Sequence, residues 1–134
     1  MTDRELINTA REAMKMAYVP YSRFAVGAAL ECDDGTVFTG CNIENAAFGC
    51  TVCAEQSAVS NAVSSGHRRF RRIAIAADSK SYCYPCGTCR QILTEFSPGM
   101  EVLSVRMDGR YVSYRSPPFC PSPLLTSRIS PSAF

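Results

Sequence analysis

The chain has 134 residues, of which 46% are hydrophobic, and 14 basic against 12 acidic side chains leave a net charge of +2. That length fits one domain with a core large enough to fold without a metal staple, and so slight a charge gives no field that would argue for nucleic acid or a membrane surface. Charges interrupt the first twenty residues and no apolar run approaches the roughly 20 needed to span a bilayer, so the expected location is the cytoplasm. In such a reducing compartment, eight closely spaced cysteines read as thiolate ligands rather than as a disulfide framework.

Thr2-Asp-Arg-Glu5 is a capping-box pattern, and Leu6, Ile7, Ala10, Ala13, Met14 and Ala17 then recur at helical spacing, which predicts a helix over 3–17 stopped by Pro20. FAVGAALEC (24–32) and TVFTGC (36–41) flank a DDG turn and read as two hairpin strands. The polar stretch CNIENAAF leads to a second helix of about 13 residues from Cys53, ended by Gly66. RRIAIAA (71–77) has the continuous apolar character of a buried strand, 86–96 of a further helix, and 101–107 with 110–114 of strands around an Asp108-Gly109 turn.

The order α-β-β-α-β-α-β-β predicts a sheet covered by helices. From Ser116 the composition changes to five Pro and five Ser in 19 residues. The expected organisation is therefore one folded domain over 1–115 and an irregular tail over 116–134. The basic run His67-Arg-Arg-Phe-Arg-Arg72 is short and precedes a strand, so it reads as a solvated edge, with His67 at the surface.

The chemistry is concentrated in GCTVCAEQ (49–56) and CYPCGTC (83–89). Structural zinc takes four protein ligands, whereas catalytic zinc keeps a position for water. Cys53 and Cys86 each fall at the start of a helix, where unpaired N–H groups favour an anion, and Cys89 follows Cys86 by three residues on the same helical face. Cys50 sits in a loop, and spacing alone leaves two shells open. One is a four-cysteine structural module of Cys50, Cys53, Cys86 and Cys89, and the other is a three-cysteine site. Glu55 tips the balance: a carboxylate suits hydrolysis beside an open metal position and suits a crowded thiolate shell poorly.

Cys-x-Glu followed by Pro-Cys-x-x-Cys is the arrangement of the zinc deaminases. Together with YSRFAVGAAL (21–30) and GCNIENAAF (40–48), TVCAEQSA and PCGTCRQIL resemble the small homotetrameric zinc-dependent cytidine deaminases, in four separated motifs up to about residue 105. The resemblance implies a three-layer α/β/α fold with a mixed central sheet. It also implies a hydrolase of pyrimidine salvage that converts cytidine and 2′-deoxycytidine to uridine and 2′-deoxyuridine.

On the same footing Cys53, Cys86 and Cys89 hold one Zn²⁺ per subunit and Glu55 moves the protons. Phe24 lies against the nucleoside, Asn42 and Glu44 bind the ribose hydroxyls, and Ala54 offers backbone groups to the base. A carboxylate at Glu44 and a cysteine at position 53 favour a free nucleoside over a nucleotide or a polynucleotide. A related deaminase of a cytosine nucleoside antibiotic or a modified cytosine is the neighbouring reading.

Two departures stand out. The family usually continues Cys-Ala-Glu-Arg, whereas Gln56 follows Glu55 here and brings no charge to offset the thiolates. The family's Leu-Leu-Pro-x-x-Phe ending, whose Phe covers a neighbouring subunit's pyrimidine, is scattered in this tail, leaving Phe134 as the candidate.

Overall fold

The structure is a computed structural model and is described here for residues 1–115; the expected tail over 116–134, with Cys120 and Phe134, lies outside the described residues. The elements follow the expected order. Helix α1 (Asp3–Met14), strands β1 (Val26–Cys32) and β2 (Val37–Cys41), helix α2 (Ala54–Ser64) and strand β3 (Phe70–Ala77) are followed by helix α3 (Gly87–Phe96) and strands β4 (Glu101–Val105) and β5 (Tyr111–Arg115). The capping box is formed in full, with the Thr2 side chain accepting from the Glu5 N–H and the Glu5 carboxylate accepting from the Thr2 N–H.

The expected helix over 3–17 stops three residues early. Tyr18 is drawn into pairing with the segment after β2: its N–H donates to the Asn42 carbonyl at 3.0 Å and its carbonyl accepts from the Glu44 N–H at 2.8 Å. The chain must leave the helix to reach that partner, and Pro20 comes too late to be the cause. At the far end, β4 stops at Val105 rather than 107, because the Arg106 N–H turns to the Arg110 carbonyl at 2.8 Å to close the Asp108-Gly109 turn.

The five strands form one sheet in the order β2-β1-β3-β4-β5. Neighbours are antiparallel except β3 and β4, so the sheet is mixed. Strand residues alternate between faces, and the register sends alternate side chains to two cores. Ala28, Leu30, Ile73, Ile75 and Val102 pack with Ala54, Ala58, Val59, Ala62 and Leu93 of α2 and α3. Ala29, Ala74, Ala76, Leu103 and Val105 pack with Leu6, Ile7 and Ala10 of α1. The three-layer α/β/α arrangement is thus present.

Small residues set the close approach of helix to sheet. A Cβ at Gly27 would stand 2.3 Å from the Ala10 carbonyl oxygen, and one at Gly40 would stand 2.4 Å from the Ala58 nitrogen and 2.5 Å from the Ala54 oxygen.

The basic run is not a solvated edge throughout. Arg72 is only 12% exposed, with Nε donating at 3.0 Å to Glu31, which is 1% exposed. The same guanidinium also reaches Asp3 and the Met1 carbonyl, and so ties the start of α1 to the sheet. His67 is half-buried, its Nε2 3.0 Å from Asp34 Oδ2 and its ring edge-on to Phe38. A solvated reading of that run misses the charged partners that period-two alternation places on the same face.

Candidate functional site

Sheet direction explains why two distant cysteine segments meet. The register pairs Gly27 of β1 with Cys41 at the end of β2 on one side, and Val26 with Ala77 at the end of β3 on the other. Both strands therefore run the same way, and the helices that follow them, α2 and α3, start at one end of the sheet. Helix starts carry unpaired N–H groups and the positive end of the helix dipole.

Cys53 is the N-cap of α2, Cys86 is the N-cap of α3, and Cys89 is buried one turn further along α3. Their sulfurs all lie within 4.8 Å of one another. A hydrogen bond from the Cys89 thiol lowers the Cys53 pKa to about 7 against the opposing effects of burial and of Glu55. The Cys89 thiol is pushed up, first because its proton is held in that bond and then by burial.

Three sulfurs this close cannot all ionise without a cation between them. Sulfurs that share a tetrahedral zinc at about 2.3 Å stand about 3.8 Å apart, inside the 4.8 Å that bounds the spacing of these three. The donor set therefore fits zinc. Among the described residues the group is limited to these three: Cys50 is exposed in the 3-10 turn Phe48–Cys50 and is not part of it. The four-cysteine shell is not formed. All seven described cysteines are free thiols.

Glu55 is in the first turn of α2 and 6% exposed. Burial raises its pKa, opposed by the neighbouring Cys89 thiol and by a backbone N–H. A carboxyl shifted this way exchanges a proton nearer to neutral pH than a solvated one does. It lines a cavity of about 290 Å³ together with Phe24, Val26, Asn42, Ala54, Cys86 and Tyr84. Every expected site residue up to Ala54 except Glu44 lies on this wall. Gln56 is half-buried in the same turn as Glu55.

Asn42 and Glu44 both turn toward segment 21–26, as two residues apart on an extended chain should. The Asn42 amide braces the pocket: Nδ2 donates to the Phe24 carbonyl at 2.8 Å, and Oδ1 accepts from the Val26 N–H at 2.9 Å. Glu44 Oε1 accepts from the Tyr21 and Ser22 N–H groups, both at 3.1 Å, and these bonds with the Ser22 side chain hold its pKa down. Glu44 lines an adjoining cleft with Tyr21, Ser22, Asn45 and Phe48, and Thr51 borders both hollows. Between these residues Arg23 has φ 58, a left-handed turn that sets the direction in which Phe24 leaves the chain.

Tyr84, Thr51 and Ile75 line the pocket without having been singled out from the sequence. An aromatic residue between two cysteines was the available signal for Tyr84. A hollow of similar size between Cys32–Asp34 and Gly66–Arg69 has no convergent thiols.

Residues 1–104 match the family model described as the cytidine and deoxycytidylate deaminase zinc-binding region. A cytidine deaminase of Sporosarcina psychrophila is 50% identical over 110 residues, 81% of each chain. One from Halalkalibacterium halodurans is 53% identical over 97 residues, 72% of this chain and 74% of that one. The crystal structure of a cytidine deaminase from Burkholderia pseudomallei superposes with a TM-score of 0.86 at 41% identity, covering 91% of this chain and 98% of that one.

Proposed function

The chain belongs to the cytidine and deoxycytidylate deaminase family, and from that membership we propose that it hydrolyses cytidine and 2′-deoxycytidine to uridine and 2′-deoxyuridine with release of ammonia. The observation that carries this reading is the meeting of Cys53, Cys86 and Cys89 beside buried Glu55 in one cavity.

Bound by the three cysteines, zinc supplies the Lewis acidity that brings the pKa of a water molecule from about 15.7 toward 7. Glu55 does the proton work. Its carboxylate takes a proton from the attacking water and passes it to N3 of the pyrimidine as oxygen adds at C4. It then carries the second proton to the 4-amino group, so that the C4–N bond breaks and ammonia leaves. Burial keeps this proton in the site rather than exchanging it with solvent.

Phe24 supplies an aromatic face for the base and Ala54 its backbone groups. Asn42 and Glu44, on the side toward segment 21–26, bind the sugar hydroxyls. Their amide and carboxylate already hold the loop that shapes the pocket, so substrate contacts add to an ordered frame. Gln56 adds hydrogen-bond donors but no charge beside the thiolates, which predicts slower turnover than an arginine there would give.

The working form is a cytoplasmic homotetramer acting in pyrimidine salvage. Residues 1–115 form its catalytic domain, and Phe134, outside the described residues, is the candidate for covering a neighbouring subunit's pyrimidine. Light scattering of the purified chain tests the assembly.

The activity is tested by ammonia release from cytidine by the zinc-loaded protein, with Glu55→Gln as control. Turnover should fall by about 10²–10⁴-fold in the variant with zinc retained. A parent protein that binds zinc and releases no ammonia would overturn the reading.

A further inference from the structure

Resting on the deaminase reading, we infer that Tyr84 is a second aromatic wall of the base pocket, positioned by Tyr114, and that it grips the planar heteroaromatic ring of the substrate. Tyr84 lies two residues before Cys86, in the loop that carries the metal ligands, and lines the same cavity as Phe24, Cys53, Glu55 and Cys86. The residue is 62% exposed, so the sheet does not bury it as core. Yet it is held: the Tyr84 and Tyr114 rings meet edge to face with centroids 5.2 Å apart at 62°.

Tyr114 is in turn fixed. It stands on β5 with its side chain packed against the core shared by α2 and α3, and its hydroxyl is 3.1 Å from the buried Ser104 hydroxyl on β4. Ser104 pairs in register with Ile75 of β3, which also lines the cavity. The chain Ser104–Tyr114–Tyr84 thus transmits the position of the sheet to one exposed ring at the pocket.

An aromatic ring held on one edge and left open on its remaining surface suits a planar ligand, because the entropy of fixing the ring is already lost before binding. Phe24 reaches the cavity from the approach to β1 and Tyr84 from the approach to α3, so the two rings enter from separate segments.

The test uses zinc-loaded full-length protein and cytidine. Affinity is read by calorimetry in the Glu55→Gln background and KM with kcat in the parent background. Tyr84→Ala should weaken cytidine binding and raise KM by about tenfold, the scale of a lost base–aromatic contact, with kcat within about twofold. Tyr84→Phe should stay within about twofold of the parent, since the ring remains.

Tyr114→Ala should raise KM by about threefold, and in the Tyr84→Ala background it should add nothing, the signature of a residue acting through another. Tyr114→Phe keeps the ring pair but loses the Ser104 bond, so it should raise KM by less than Tyr114→Ala does. Unchanged affinity and KM in Tyr84→Ala would overturn the proposal and leave the deaminase reading standing, as would equal, additive losses in the double variant. Weakened cytidine binding in Tyr84→Ala, in a parent that releases no ammonia, would support the aromatic wall and remove the deamination. A parent that neither binds nor deaminates cytidine would overturn both.

Discussion

Replacing Gly40 by alanine should separate position from composition, since it alters no residue of the pocket. The new Cβ would stand 2.4 Å from the Ala58 nitrogen and 2.5 Å from the Ala54 carbonyl oxygen, both backbone atoms of α2, where ordinary contact begins at 3.4 Å. The helix must therefore retreat from β2 by about 1 Å, and it carries Cys53 and Glu55 at its first turn. Overpacking of this kind costs about 1–3 kcal/mol, and a catalytic group misplaced by about 1 Å costs about 10²-fold in rate.

The expected result is a folded protein that melts earlier and whose kcat/KM for cytidine falls by about 10²-fold. Ammonia release, zinc content and a thermal melt on the same preparation separate loss of chemistry from loss of fold. Gly49→Ala, where an added Cβ meets nothing within 4 Å, is the control. A Gly40→Ala protein with kcat/KM within about twofold of the parent would refute the claim that close approach of α2 to β2 places the site.

Other consequences are as specific. Gln56→Arg should raise kcat or move the pH profile of deamination downward, because a cation then offsets the thiolate charge; identical profiles would dispose of the charge argument. Arg72→Met removes the nearest cation from the buried Glu31 carboxylate and leaves Arg71 and the N-terminal amine at 3.7 Å, so it should cost about 3 kcal/mol or less in denaturant unfolding, while Arg72→Met with Glu31→Leu should recover much of that loss. Asp34 and Asp108 sit below the ordinary carboxylate pKa of 3.8, chiefly through backbone N–H groups of Thr36 and Arg110, and Glu44 below 4.5 through Ser22. A carboxylate with a depressed folded pKa gives its full stabilisation above the unfolded value and loses it as pH falls through the folded one. Zinc-free protein should therefore lose melting temperature as the pH drops below about 4, and Asp34→Asn with Asp108→Asn should flatten that decline.

The order of elements and the cysteine trio were legible because each rests on local rules. A capping box, apolar strands flanked by turns and cysteines at helix starts are each written within a few residues. The end of α1 was not, because it is set by the pairing of Tyr18 with residues 42–44 far along the chain. Nor was the exclusion of Cys50: three residues from Cys53 looks close in sequence, but the intervening 3-10 turn leaves it outside the group. Arg72 reads as one of a charged run until the sheet register shows Glu31 directly across from it. Tyr84 escaped notice for a similar reason, since its partner Tyr114 lies on the last described strand, beyond the segment that carries the motifs.

The direction shared by β2 and β3 has a consequence for how the chain assembles. Cys53 and Cys86 each follow a strand of the same sheet, and both strands are aligned only through β1 lying between them. Neither half of the metal site can find the other until the long-range pairing of β1 with β3 exists, and pairing of that kind forms slowly. During refolding, high-affinity capture of zinc should lag behind the appearance of sheet, so the metal would arrive as a seal on a nearly finished fold rather than as its nucleus.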